Sequence, residues 1–331
     1  MSSWMDLRAK LAQLATQEVR DGIHFVALNG CGKDSLETQD RYYGAEWNLS
    51  NGLWKLVVVL DGHGVTHSTV DFILDKVPSM VKEALVSALR QSNSQSLDDD
   101  TLSKVLSEPL ISLDNFIKDS FLSLLPSDLS NFDPTVALRD ESGNMVIEVD
   151  RCVQGSTAAV ALIDPSKRIH VANIGDCDAF LYSEMNGLGD MHYKLPVHLV
   201  RILGAAWGDP FGPGLMGDRN NTYKTPPYMS NLPEVAHAHV EGQKFLIVAS
   251  DGLDHLLRNR FKHENPVEQG KICGAAAARA LESESRNALN LAGVVLWEAY
   301  GGDGDGNIFG ARLAGELQGR VDDVAIAVVP L

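Results

Sequence analysis

The chain has 331 residues, 44% of them hydrophobic and 22% charged, and a formal net charge of −16 at pH 7. That balance is ordinary for a folded domain, and it argues against a non-specific binder of nucleic acid or anionic membrane, since both need a cationic face. No apolar run reaches the roughly 18 residues of a membrane helix, and a chain this long buries about three quarters of its unfolded surface without disulfide staples.

Residues 1–22 set Leu7, Leu11 and Leu14 among Asp6, Arg8, Lys10, Glu18 and Arg20, the pattern of an amphipathic helix. They lack a signal-peptide core, and the acids Asp6, Glu18 and Asp21 are foreign to a mitochondrial transit peptide, so a cytoplasmic location is expected. Residues 1–21 read as a helical extension and 22–331 as a single domain. The four cysteines, Cys31, Cys152, Cys177 and Cys273, show no C-x-x-C spacing and read as free thiols.

A short apolar run at 23–28 is followed by a candidate strand at 42–47, a turn at 48–52 and the β-branched run 55–60 (KLVVVL), which reads as a strand buried on both faces. Residues 69–89 repeat apolar positions at a helical period. Asp100 is suited to cap a second helix of about 25 residues carrying Leu102, Leu106, Leu110, Leu113 and Ile117. Strands are then expected at 145–149, 157–163, 168–174, 179–182, 235–240 and 245–249, with a long Gly/Pro-rich loop at 204–227. Helices at 267–282 and 288–300 and a last strand at 324–329 complete the chain. Strands and helices come in blocks, which favours α+β over a doubly wound sheet.

Three apolar strands carry aspartate at a terminus. LVVVL runs into Asp61-Gly62-His63-Gly64, FLIVAS into Asp251-Gly252, and Asp322-Asp323 opens VAIAVV. In an antiparallel arrangement the end of one strand lies beside the start of its neighbour, so the three sites are expected to meet at one sheet edge. Clustered carboxylates repel each other unless a cation neutralises them, and oxygen-rich clusters suit Mg²⁺ or Mn²⁺. His63, beside the acids, is a candidate general acid. Taken singly, each Asp-Gly is also ordinary turn chemistry.

Asp61-Gly62-His63-Gly64 resembles the signature of the metal-dependent Ser/Thr protein phosphatases of type 2C, the PPM family. The resemblance continues in the family's order through Gln39-Asp40-Arg41, Gly155-Ser156-Thr157-Ala158, Val171 to Asp176, the FLIVASDGL stretch and Asp322-Asp323. Ala206-Trp207-Gly208-Asp209 is similar to the family's A-F-G-D segment, and Thr225-Pro226-Pro227-Tyr228 with Pro233-Glu234-Val235 resembles the pyruvate dehydrogenase phosphatase branch. That branch implies a mitochondrial target as the alternative location.

The resemblance implies a four-layer α-β-β-α sandwich of two mainly antiparallel sheets. It also implies hydrolysis of phosphoserine or phosphothreonine in a phosphorylated protein substrate by a hydroxide bridging two Mg²⁺ or Mn²⁺ ions. Asp61 would bridge the ions, the Gly62 carbonyl and Asp40, with Gln39, would serve one, and Asp251 and Asp322 the other. His63 would protonate the leaving oxygen. Asp323 and Asp150 are weaker metal candidates.

The chain departs from the family at several positions. Gln39 stands where a carboxylate is usual, which weakens one metal site. Lys33 is the nearest cation to the place of a missing phosphate-binding arginine, Cys177-Asp178 replaces Ser-Arg, and the flap between Tyr193 and Arg201 is short. These departures define a second reading, a pseudophosphatase binding module that keeps the fold. Four other features read as structural: a G-x-G-x-x-G match at 212–217, an EF-hand-like start at Asp303, the pair His237 and His239, and Cys177 as a buried apolar residue.

Overall fold

The computed structural model describes residues 4–30, 37–92, 96–128, 133, 138–183, 231–240, 242–261, 265–282, 290–304, 308–314 and 322–331. Cys31, Lys33, the 193–201 flap, the 204–227 loop with its glycine motif and Thr225 to Tyr228 lie outside the described residues.

In chain order the elements are α1 (Trp4–Leu14), β1 (Thr16–Arg20), β2 (Ile23–Leu28), β3 (Arg41–Leu49), β4 (Gly52–His63), α2 (Ser68–Gln91), α3 (Asp99–Leu122) and α4 (Ile147–Val153). They continue with β5 (Gly155–Ile163), β6 (Arg168–Ile174), β7 (Asp178–Ser183), β8 (Glu234–His239), β9 (Gln243–Ala249), α5 (Asp251–Phe261), α6 (Pro266–Glu282), α7 (Leu291–Tyr300), α8 (Phe309–Leu313) and β10 (Val324–Pro330). Two five-stranded sheets result, in the orders β1-β2-β10-β9-β7 and β3-β4-β5-β6-β8, and every strand pair is antiparallel. The fold is α+β, with sheets packed face to face and flanked by helices.

Alternation along β4 explains the layers. Leu56, Val58 and Leu60 pack with Val70, Ile73 and Val77 of α2 and Leu102 and Leu106 of α3. Val57 and Val59 face the other way, against Phe25, Val248 and Ala327 of the first sheet. On the far side of that sheet, Val26, Ile247 and Ile326 meet Leu253, Ala277 and Leu296 of the last helices. The continuous apolar run of β4 is therefore buried on both sides.

Several expectations are corrected. The helix at the N-terminus stops at Leu14, and Thr16–Arg20 is a strand paired with β2, while Leu11 and Ala15 enter the core. Thr16–Arg20 is thus a strand of the first sheet, and Trp4–Leu14 remains a helix that packs into the same core through Leu11. Residues 147–153 form a helix in place of the expected strand, with Met145 only bridged to Arg139. Asp98, not Asp100, caps α3, its side chain accepting the Thr101 amide at 2.8 Å. Asp251–Phe261 is a helix that the apolar pattern did not announce. The first and last long strands do share a sheet, β2 pairing with β10.

Candidate metal centre

Strand β4 runs beyond its apolar stretch, so Asp61, Gly62 and His63 are strand residues paired with Thr157, Ser156 and Gly155 of β5. By strand period, Asp61 and His63 continue the Val57/Val59 face and lie at the end of the space between the sheets. Gly62 is required by close approach: an added Cβ would stand 2.6 Å from the Gln39 carbonyl oxygen and 3.0 Å from Val70. Gly64 has φ +130°, and an added Cβ would overlap the Gln154 amide oxygen, which accepts the Val65 amide at 2.7 Å.

The other carboxylates arrive from three directions. Asp40 precedes β3. Asp176 lies in the link by which the chain crosses from β6 to β7, thus from one sheet to the other. Asp251 opens α5 directly after β9, and Asp322 precedes β10. The acids therefore meet between the two sheets at one end of the sandwich, a correction to the expected single sheet edge. Asp61, Asp176 and Asp251 each place a carboxylate oxygen within 4.8 Å of the others. Asp251 and Asp322 form a second such group with His255, whose Nδ1 lies 3.7 Å and 3.8 Å from their respective carboxylates. Asp176 and His255 were given no role in the sequence reading.

Electrostatics make this cluster costly without a counter-charge. Burial first, and then the neighbouring charges of Asp251, Asp176 and Asp322, hold the Asp61 carboxyl well above the usual carboxylate range. Asp40 is displaced the same way, by burial and then by the Asp61 charge. Asp251 is pushed up to about 6 by burial and by Asp176, partly offset by His255. Among the described residues, no lysine or arginine pairs with Asp40, Asp61, Asp176 or Asp251. Asp40 Oδ2 accepts the Ser250 hydroxyl at 2.5 Å, whereas its Oδ1 is buried with no donor. An orphaned carboxylate oxygen that also feels the charges of Asp61, Asp323 and Asp251 fits a hard divalent cation.

The remaining candidates separate by their partners. His63 Nδ1 lies 3.6 Å from Asp61 Oδ1, and its side chain is 42% exposed, so it reaches both cluster and solvent. Gln39 donates its side-chain amide to the Gly64 carbonyl at 2.8 Å, joining its loop to the glycine turn. Asp323 accepts from the Gly30 amide at 2.6 Å, the Gln39 amide at 2.5 Å and the Thr38 hydroxyl at 2.9 Å, which makes it an anchor for two loops. Asp150 accepts from Thr66 and Gln154 and stands outside the carboxylate groups. Arg41 braces the Asp40 loop through the Thr38 and Asp40 carbonyls and pairs with Asp71 at 2.6 Å. Cys177 is fully buried against Thr157, and burial followed by the Asp61 charge pushes its thiol up, which keeps it protonated and inert. Asp303 accepts the Trp297 indole N–H at 2.9 Å, a structural role.

Residues 37–194, just under half of the chain, match the family described as Protein phosphatase 2C. No curated protein matches the chain. Among solved structures, a bacterial serine phosphatase variant aligns at 12% identity and TM-score 0.48, over 96% of this chain and 99% of its own. A PPM Ser-Thr phosphatase from Mycobacterium smegmatis, solved with cacodylate, aligns at 14% and 0.44, over 95% and 100%. A serine/threonine phosphatase from Staphylococcus aureus aligns at 12% and 0.41, over 93% and 94%.

Proposed function

Because residues 37–194 match the Protein phosphatase 2C family, we propose that the chain hydrolyses phosphoserine and phosphothreonine in proteins with the help of two Mg²⁺ or Mn²⁺ ions. The observation that carries this reading is the group of buried Asp61 with the partly buried Asp176 and Asp251, which no lysine or arginine among the described residues neutralises. Asp61 would stand between the cations. Asp40 and the Gly62 carbonyl would serve one, and Asp251 and Asp322, with His255, the other. Bound divalent cations supply Lewis acidity toward the phosphoryl oxygens and make water a stronger acid.

The chain's own residues complete the reaction. Hydrolysis adds water across the P–O ester bond, so the departing serine or threonine oxygen must gain a proton. His63 is half-exposed at the mouth of the cluster, its Nδ1 3.6 Å from Asp61, and would give that proton. The anchors Asp323 and Ser250 hold the Asp40 loop against the first sheet and so fix the spacing of the carboxylates. The acidic cluster also repels a free phosphomonoester, so substrate binding requires the cations first.

One observation favours the second reading, a binding module with weak catalysis. The Gln39 side-chain amide is committed to the Gly64 carbonyl, leaving a neutral group where one cation would find a carboxylate. The test is release of phosphate from a phosphothreonine peptide by the purified full chain in Mn²⁺ and in EDTA. Metal-dependent release that disappears in Asp61→Asn supports the phosphatase. No release from folded protein in excess Mn²⁺ overturns it in favour of the binding module.

A further inference from the structure

Far from the carboxylates, a second set of metal-ligating side chains meets on the outer edge of the other sheet. His170 of β6 and His237 of β8 are direct cross-strand partners. Both rings turn to the helix side, where Asp99 and Ser103 of α3 lie over them. One donor atom each from Asp99, His170 and His237 lies within 4.8 Å of the others. His237 turns to His170 and not to His239, which the alternation of β8 had suggested as its partner. His170 lies four residues before the end of β6 that leads to Asp176, roughly 13 Å along the strand at its extended rise.

The two imidazoles approach through the same nitrogen: His170 Nδ1 and His237 Nδ1 are 2.7 Å apart. Two lone pairs at that distance repel, so either one Nδ1 carries a hydrogen and donates it to the other or a cation sits between them. Each outer nitrogen faces a group that can accept a hydrogen from it. His170 Nε2 is fully buried, has no hydrogen-bond partner, and faces the Asp164 carboxylate at 3.7 Å. That carboxylate is held by Arg168 at 2.7 Å. His237 Nε2 lies 2.9 Å from the Ser103 hydroxyl. With a proton on each Nε2, both rings have an outer acceptor, and both Nδ1 lone pairs converge on one point beside Asp99. A histidine whose second N–H faces a fixed carboxylate is the usual surrounding of a metal-bound imidazole.

We propose that His170, His237 and Asp99 form a separate site for a zinc-class transition dication, which clasps the start of α3 to the β6–β8 edge. Two imidazoles and one carboxylate, with an open fourth position, suit Zn²⁺ better than Mg²⁺. Asp99 is the solvent-facing ligand, its side chain 55% exposed, and it gives the ion a way in. Seating a tetrahedral ion requires the Nδ1 atoms to part to about 3.3 Å. The Asp164 carboxylate, 3.7 Å from His170 Nε2, offers that nitrogen an acceptor once its ring shifts to make room for the ion. Arg168 also contacts Asp99, at 3.2 Å, and draws off part of its charge, which places the affinity below that of a site with an unshared carboxylate.

The test is Zn²⁺ uptake by the metal-free full chain, with Co²⁺ as a spectroscopic stand-in, in wild type and in Asp61→Asn, His237→Gln and Asp99→Asn. The expected result is one zinc equivalent, beyond any ion taken up by the carboxylate centre, that shows the visible bands of tetrahedral Co²⁺ and is retained in Asp61→Asn. Affinity should fall 10- to 100-fold in His237→Gln and at least several-fold in Asp99→Asn, while Mn²⁺-dependent behaviour at the carboxylate centre is unchanged in both. Should His237→Gln misfold by circular dichroism, the exposed Asp99→Asn decides alone. No zinc bound at 100 μM, or zinc lost with Asp61 and indifferent to Asp99, overturns the proposal.

Discussion

Asp61→Asn separates the cost of the acidic cluster from its use. The substitution keeps the side chain's shape and removes one charge from a group whose oxygens lie within 4.8 Å of each other. At that separation a pair of like charges repels by about 1 kcal/mol in water and about 3 kcal/mol at the effective dielectric of a protein. Removing Asp61 therefore relieves about 1–3 kcal/mol in the metal-free protein. At about 2.1 cal/mol/K of unfolding entropy per residue, that raises Tm by about 1–4 °C. The ligand response has the opposite sign. Wild type at a cation concentration 100-fold above Kd gains about 2.7 kcal/mol per site, and Asp61→Asn loses most of that gain. Thermal unfolding of both proteins in EDTA and in excess Mn²⁺ should give crossing results: the variant more stable without metal and less stable with it. A variant that melts below wild type in EDTA, or that keeps the full Mn²⁺ shift, would refute the view of Asp61 as a repelled carboxylate awaiting a cation.

Three further predictions follow from neighbouring contacts. Gly252→Ala should destabilise the protein by about 1–3 kcal/mol and abolish the Mn²⁺ shift, because the new Cβ would stand 1.9 Å from the Asp323 carbonyl, a backbone atom that cannot yield without moving Asp322; denaturant unfolding reads the loss. Gln39→Glu should lower metal-free stability by about 1–3 kcal/mol, since its amide no longer donates to Gly64 and a carboxylate faces that carbonyl, yet it should raise Mn²⁺ affinity in calorimetry. His255→Asp should shift cation preference from Mn²⁺ toward Mg²⁺, as a nitrogen donor 3.7 Å from Asp251 becomes an oxygen; an unchanged Mg²⁺/Mn²⁺ ratio in competition titrations would remove His255 from the centre.

Much of the sandwich was legible because its strands are unusually apolar. The run at 55–60 reads as a doubly buried strand, and it lies between the α2/α3 layer and the other sheet. Residues 145–149 mislead because Val146, Ile147 and Val149 have strand-forming side chains, whereas Val149 and Cys152 pack against Ile117 and Phe121 at helical spacing. Asp61, Asp251 and Asp322 were found by one local signal, aspartate at the end of an apolar run, and Asp40 only through the resemblance carried by Gln39-Asp40-Arg41. Asp176 carries the same signal after β6 and was passed over. His255 is visible only once Asp251–Phe261 is known to be helical, because four residues then bring it back beside Asp251. The anchoring role of Asp323 depends on amides nearly 300 residues away in sequence, and no local pattern encodes that.

The position of the cluster between the sheets has a consequence for how the fold holds together. Asp61 belongs to the second sheet, Asp251 and Asp322 flank strands of the first, and Asp176 lies on the link that joins them. Direct polar ties cross at this end near the carboxylates from Ser250 to Asp40 and from Asp323 to the 38–39 loop. Without metal, like charges push the two sheets apart here while the apolar layer of Val57, Val59, Val248 and Ala327 holds them together further in. A cation shared by Asp61 and Asp251 reverses the sign of that force at the mouth of the sandwich. Metal binding should therefore slow amide exchange at residues 38–40, 61–64 and 250–253 together, from both sheets at once. Protection confined to one sheet would mean that the carboxylates of the other take no part in the centre.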